Sequence, residues 1–432
     1  MSARGERMGG VRLRTVAAAA VLAALAGCAG CDTVPPDAVT DCNAQIVVGS
    51  AATDILFVID DSGSMTPKQE KLAAELGTFI DQLLSSAIAL DVNIGVTNTS
   101  VDEYGADAST FGATAYSGAT FPGPRGTPYP AGAIEAIWQD PSGVGSAAQF
   151  LWGSVYDPVN GVSTWGGPRI LSSGSMSHAL LAQNFKANVL QGRWGSGKEQ
   201  PLRAMALALK QAGAGGVNFP FQRAGARLAV VILTDEDDCS DSAPPLVTSD
   251  AACHNSANWG QLDPLPDYIS TLIEIDSEPI VAVIAEYVGT TTPVSGGPVC
   301  EPGPSFPSGP PAPPARLDKF LSTLDPAGTH SLRASLCDAF GPTLLKVAQM
   351  IIPQTLPLKQ SPADPRMMVV SVVKPSGTVV ACPMQPAGSA AAGSAGVVYT
   401  PAPPGGYPTL TFQNACHLDL GDKIDIKILC AG

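Results

Sequence analysis

Three short apolar runs punctuate the chain: Ile55 to Ile59, Leu-Ala-Val-Val-Ile-Leu within Arg227 to Thr234, and Ile-Val-Ala-Val-Ile-Ala within Pro279 to Tyr287. Each is too short for a helix and does not alternate, which suits a strand buried on both faces in the middle of a parallel sheet. Asp91 to Thr97, with Val-Asn-Ile-Gly-Val at its centre, predicts another strand. Between Ile59 and Asp91, Leu72, Leu76, Phe79, Ile80, Leu83 and Leu84 recur at helical spacing. Thr66-Pro67-Lys68-Gln69 predicts the start of that helix, with Thr66 as N-cap, Pro67 at the first helical position and Gln69 closing a capping box. Strand, helix, strand is the opening of a βαβ unit. Helices are also predicted over Glu199 to Ala212, Arg316 to Leu324 and Leu332 to Ile352, the last interrupted near Gly341-Pro342. The pattern predicts an α/β fold with a mostly parallel sheet over residues 54–353.

Two stretches interrupt it. Residues 98–194 dissolve into Gly, Ser, Thr and Pro yet carry Trp138, Trp152, Trp165 and Trp194 with several Tyr. Disordered segments are poor in aromatics, so a folded insertion is expected, its rings filling a small core of their own or forming a ligand platform. A second insertion, residues 288–315, is rich in Pro and Gly. After Pro353 the period changes to two. Met367 to Val373 and Thr378 to Cys382 flank a Lys374-Pro375-Ser376-Gly377 turn, and Ile424, Ile426 and Ile428 alternate with Asp425 and Lys427. Residues 354–432 are therefore predicted to form a small antiparallel β domain with one wet face.

Charge and cysteine content narrow the partners and the compartment. A formal charge of −14 argues against nucleic acid, which is bound through clustered Lys and Arg. At the amino end, Arg4, Arg7, Arg12 and Arg14 precede an apolar run, Val16 to Gly27, too short to remain as a membrane span. It ends in Leu25-Ala26-Gly27-Cys28, which resembles a bacterial lipobox. That resemblance implies a signal peptide over residues 1–27, lipid on Cys28, and a tether over residues 28–53. Several acyl chains, at about 0.8 kcal/mol per buried CH₂, give a stable membrane anchor. With Ala29 after the Cys, the expected address is the cell envelope of a Gram-negative bacterium, at the outer membrane or the cell surface. The other cysteines fit an oxidising compartment. Proximity favours Cys239 with Cys253 and Cys300 with Cys337, and Cys382 with either Cys416 or Cys430.

The candidate chemistry follows the first strand. Asp60, Ser62 and Ser64 form D-x-S-x-S at its carboxyl end, where open α/β sheets hold ligands. A carboxylate and two hydroxyls are hard donors suited to Mg²⁺, Ca²⁺ or Mn²⁺. Asp235 ends the second apolar run within Leu233-Thr234-Asp235, and Glu236, Asp237, Asp238 and Asp241 crowd the same turn as a possible second acidic cluster, to be solvated, helix-capping or cation-bound.

Together these motifs resemble the metal-ion-dependent adhesion site of the von Willebrand factor type A domain, in a bacterial lipoprotein branch. The resemblance implies a Rossmann-like, doubly wound sheet and a divalent cation on Asp60, Ser62, Ser64 and Asp235. It further implies an open position for an acidic side chain of a protein ligand. The family's second loop usually gives a Thr. Here Gly195-Ser196-Gly197-Lys198-Glu199 stands in its place, so either Ser196 or Glu199 serves. The implied function is non-catalytic protein binding, with a structural envelope protein as the alternative. A nucleotide hydrolase is the remote third: Gly192-x-x-x-x-Gly197-Lys198 nearly spells a phosphate loop, but Glu199 takes the place of the Mg²⁺-holding hydroxyl.

Overall fold

The computed structural model describes residues 51–62, 65–84, 90–99, 154–157, 162–165, 170–190, 199–216, 218–241, 253, 256–285, 314–336, 338–359, 361–362, 364–385 and 396–428. The chain runs β1 (Ala51–Ile59), α1 (Thr66–Leu84), β2 (Leu90–Asn98), β3 (Ser154–Asp157), β4 (Val162–Trp165), β5 (Ile170–Ser172), α2 (His178–Val189) and α3 (Pro201–Lys210). It continues through β6 (Arg227–Leu233), α4 (Leu265–Ile275), β7 (Ile280–Ala285), α5 (Ala315–Leu324), β8 (Ser331–Ser335) and α6 (Phe340–Ile351). Last come β9 (Thr355–Pro357), β10 (Met368–Val373), β11 (Val379–Cys382), β12 (Met384–Gln385), β13 (Gly396–Thr400), β14 (Thr409–Gln413) and β15 (Lys423–Ile428).

Six strands form the central sheet in the order β5-β2-β1-β6-β7-β8, parallel except for β5. The apolar run of β1 explains its place at the centre. Ile55, Phe57 and Ile59 face a layer built from α1, α2 and α6, while Leu56 and Val58 face α3, α4 and α5. With both faces covered, every position must be apolar, which is why the alternation vanishes. Phe57 meets Phe79 of α1 and Phe185 of α2 edge-on, at centroid separations of 6.3 and 4.8 Å. The chain leaves β1 for β2 on one side and later enters β6 on the other, then moves outward to β7. The crevice between β1 and β6 is thus the topological switch point, and its carboxyl end is the rim where ligands collect in such sheets.

Three sequence expectations need correction. Residues 332–335, expected inside a helix, belong to edge strand β8, paired in register with β7; its Leu332 and Ala334 pack on the core from the sheet margin. The insertion predicted to run to residue 194 ends earlier. Within it, β5 pairs antiparallel with β2, and α2 carries Leu181, Phe185 and Val189 into the main core. Within it β3 also pairs antiparallel with β4; the Trp138, Trp152 and Trp194 positions lie outside the described residues. The helix start also differs from the expectation: Thr66, expected as N-cap, is the first residue of α1, and Gln69 Nε2 donates to Asp60 O at 2.7 Å.

The carboxyl-terminal part is two small sheets, β11-β10-β15 and β12-β13-β14-β9, antiparallel apart from the short β12–β13 pair. The predicted turn joins β10 to β11: Gly377 N donates to Lys374 O, and Gly377 sits at φ 84°, a left-handed position that favours glycine. Inward-facing Met368, Val370, Val372, Leu410 and Phe412 merge with Val347 and Ile351 of α6 in one continuous core. Cys382 is bonded to Cys416, so Cys430, which lies outside the described residues, is not its partner. Cys239 is bonded to Cys253, as proximity predicted. Cys28, Cys300 and Cys337 lie outside the described residues, and no helix among those described is long and apolar enough to cross a membrane.

Candidate metal centre at the sheet rim

The rim is built by strand ends. The β1–β6 register closes at Ile59 opposite Leu233, and Asp60 N donates to Leu233 O at 2.9 Å. One residue further on, Thr234 Oγ1 donates to Asp60 Oδ2 at 2.8 Å, while Ser62 N donates to Asp60 Oδ1 at 2.8 Å. Both oxygens of Asp60 are therefore held in place before any ligand arrives. Asp60 and Asp61 are fully buried, and Asp61 Oδ2 accepts from Asn98 Nδ2 at 3.0 Å at the end of β2.

Burial pushes the Asp60 carboxyl well above the usual carboxylate range, and the charge of Asp235 pushes it further. The Ser62 amide and the Thr234 hydroxyl pull the other way, and Asp61 adds to the upward push. Asp60 and Asp235, far apart in sequence, thus act on one another across the switch point. Such a buried pair is relieved by a proton on one carboxylate, the direction in which Asp60 is pushed, or by a cation. One is present: Lys68, in the first turn of α1, forms an ion pair with Asp235 Oδ2, both side chains being buried.

A further hydroxyl reaches the rim without a signal in the sequence. The β1–β2 register ends at Ile59 opposite Asn98, and carried one residue on it sets Thr99 opposite Asp60. Thr99 is fully buried, and its Oγ1 has no hydrogen-bond partner among the described residues. Beside it runs the segment that replaces the expected Thr loop. Gln200 N donates to Thr99 O at 3.1 Å, and Cys239 N donates to Glu199 O at 2.8 Å. Glu199 is thus a fully buried residue stitched between the end of β2 and the acidic turn. Ser64 and Ser196 lie outside the described residues.

Most of the remaining acids of the turn are buried and hydrogen-bonded within the protein. Asp237 accepts from the backbone N–H groups of Arg316 and Leu317, so it caps α5. Burial still raises its carboxyl to about 6 against those donors. Asp238 pairs with Arg316 Nε at 2.8 Å, accepts Leu202 N at the start of α3, and accepts Ser240 Oγ. Asp241 is buried; its backbone oxygen accepts from Arg203 and its N–H donates to Gln200 Oε1. Glu236 is half-buried, and its N–H donates to Thr234 Oγ1. Asp237 and Asp238 fasten α5 and α3 to the rim, and Cys239 of the same turn is bonded to Cys253.

The residues at the β1–β6 rim fit a hard divalent ion by donor chemistry: mutually repelling carboxylates, nearby hydroxyls, and the orphaned Thr99 oxygen. Among the described residues, no group of three or more His, Cys, Asp or Glu side chains is arranged to hold a metal. A site here therefore draws on hydroxyl oxygens as well as Asp60 and Asp235.

No protein-family model and no curated protein matches the chain. Among solved structures it is similar to the pilus adhesin SpaC from Lactobacillus rhamnosus GG in its open conformation, at 13% identity over 89% of this chain, with a TM-score of 0.37. It is similar to a von Willebrand factor type A protein from Catenulispora acidiphila at 13% identity over 88% of the chain, with a TM-score of 0.32. The tip pilin GBS104 from Group B Streptococcus agalactiae aligns at 10% identity over 88% of this chain and 80% of its own, TM-score 0.32. The chain spans 39% of the SpaC chain and 57% of the Catenulispora chain. At TM-scores this low, no site residue transfers from these structures.

Proposed function

We propose that this chain is a lipid-anchored, extracytoplasmic binding protein of the von Willebrand type A kind. In this reading it captures a protein ligand through a divalent cation held at the β1–β6 rim. Asp60, Ser62, Ser64 and Asp235 hold the ion, Thr99 supplies a further oxygen, and an acidic side chain of the partner completes the shell. The cation supplies charge attraction for that carboxylate; the chain's own residues hold the donors in register. The observation that carries the reading is the meeting of Asp60 and Asp235, each on its own strand end, at the switch point of the sheet. Lipid on Cys28 sets the protein at the outer membrane or cell surface, and no catalytic group is assigned.

Calorimetry with Mg²⁺, Ca²⁺ and Mn²⁺ on the full chain in detergent tests this, beside Asp60→Ala. Saturable heat is expected from the wild type and none from the variant; equal heats from both would defeat the reading. Capture of a partner from envelope extract is expected to vanish with chelator. The alternative is a metal-free envelope scaffold, favoured by the Lys68–Asp235 ion pair, which already brings positive charge to the rim. Chelator-insensitive capture supports that alternative.

A further inference from the structure

Lys68 stands in an awkward place for a lysine. It lies in the first turn of α1, where the helix dipole disfavours a cation, and its side chain is 6% exposed. Burying an ammonium is unfavourable unless it is paired. What holds it is Asp235, whose side chain is 0% exposed and whose charge bears on Asp60 across the rim. The helix start is itself tied to the rim by Gln69 Nε2 on Asp60 O, at 2.7 Å. The ammonium therefore sits on one of the two carboxylates that a divalent ion would need, and the two cations would repel at that distance.

We propose that Lys68 is a resident counter-ion, and that the ammonium and a divalent cation are alternative occupants of the Asp60–Asp235 rim. An ion enters only as Lys68 swings off Asp235. The proposal rests on the cation-binding reading above and adds the regulation of that site. The ion-free protein is held together by its own lysine, and ion affinity is set by competition rather than by the donors alone. Where the ammonium occupies the carboxylate about nine-tenths of the time, the apparent ion affinity falls about tenfold.

The test titrates Mg²⁺, Ca²⁺ and Mn²⁺ separately into full-length wild type, Lys68→Met and Lys68→Gln, with the thermal midpoint of each measured in chelator and in saturating ion. Expected are affinities about tenfold tighter in both variants, midpoints below wild type in chelator, and recovery of the midpoint with ion. Wild-type affinity in both variants overturns the competition while leaving the cation site standing. Heats absent from all three proteins overturn the cation site and the competition with it. Should both variants fail to fold even with ion present, no ion replaces the ammonium, and the proposal fails on that result as well.

Discussion

The turn after β6 holds two kinds of carboxylate a few residues apart. Asp237 and Asp238 have their oxygens committed to backbone N–H groups, to Ser240 and to Arg316. Asp235 faces another buried acid, Asp60, across the sheet, with Lys68 against it. The first kind is the mortar of the domain, tying α3 and α5 to the rim. The second is a concentration of charge that packing alone does not explain. The contrast separates acids bonded into the packing from the pair proposed to hold an ion by what they touch, since both kinds are buried.

Breaking the structural half is expected to have the largest effect. Arg316→Met leaves Asp238 buried with its charge uncompensated, and a loss of about 3–5 kcal/mol is expected in denaturant unfolding. Adding Asp238→Asn to that variant removes the stranded charge and is expected to recover part of the loss. Asp237→Ala strips the cap from α5, at an expected cost of about 1–2 kcal/mol by the same measurement. Asp237→Asn, which keeps an acceptor oxygen, is expected to cost less than half as much. Asp60→Asn sharpens the comparison from the other side. It relieves the repulsion with Asp235, so stability in chelator is expected to stay within about 1 kcal/mol of wild type or to rise. Ion binding in the calorimeter is expected to disappear. A large loss of stability in Asp60→Asn would place Asp60 among the structural acids.

Most of the sheet was legible because burial on both faces leaves a plain mark. Continuous apolar runs gave β6 and β7 to within two residues at either end, and the carboxyl end of β1, whose amino end starts four residues before the run, at Ala51. An edge strand leaves no such mark. Ser331–Ser335 reads Ser-Leu-Arg-Ala-Ser, and with α6 close behind it in sequence the two merge into one helical pattern. Strand β5 and helix α2 were hidden for a related reason: three paired residues and a weakly amphipathic helix do not stand out against a long polar, glycine-rich stretch. At the rim, strand ends announced Asp60 and Asp235. Lys68 read only as a residue of a helix start, because nothing local shows that an ammonium will fold back over a carboxylate so distant in sequence. Thr99 escaped because its relevance comes from register with β1, and register is a tertiary fact. The acidic turn was visible as a cluster, but its division into caps and charge depended on where α3 and α5 dock.

Strand β1 is paired along all of Ala51–Ile59 with β2 and from Thr53 to Ile59 with β6, both parallel. Chain entering at Ala51 and a ligand gripped beyond Ile59 would pull on opposite ends of that one strand. Tension then runs lengthwise along two ladders, in shear, and their hydrogen bonds share the load instead of opening one after another like a zip. If the proposed anchor and ligand both hold, traction between them would run through a central strand of the sheet, paired on both sides.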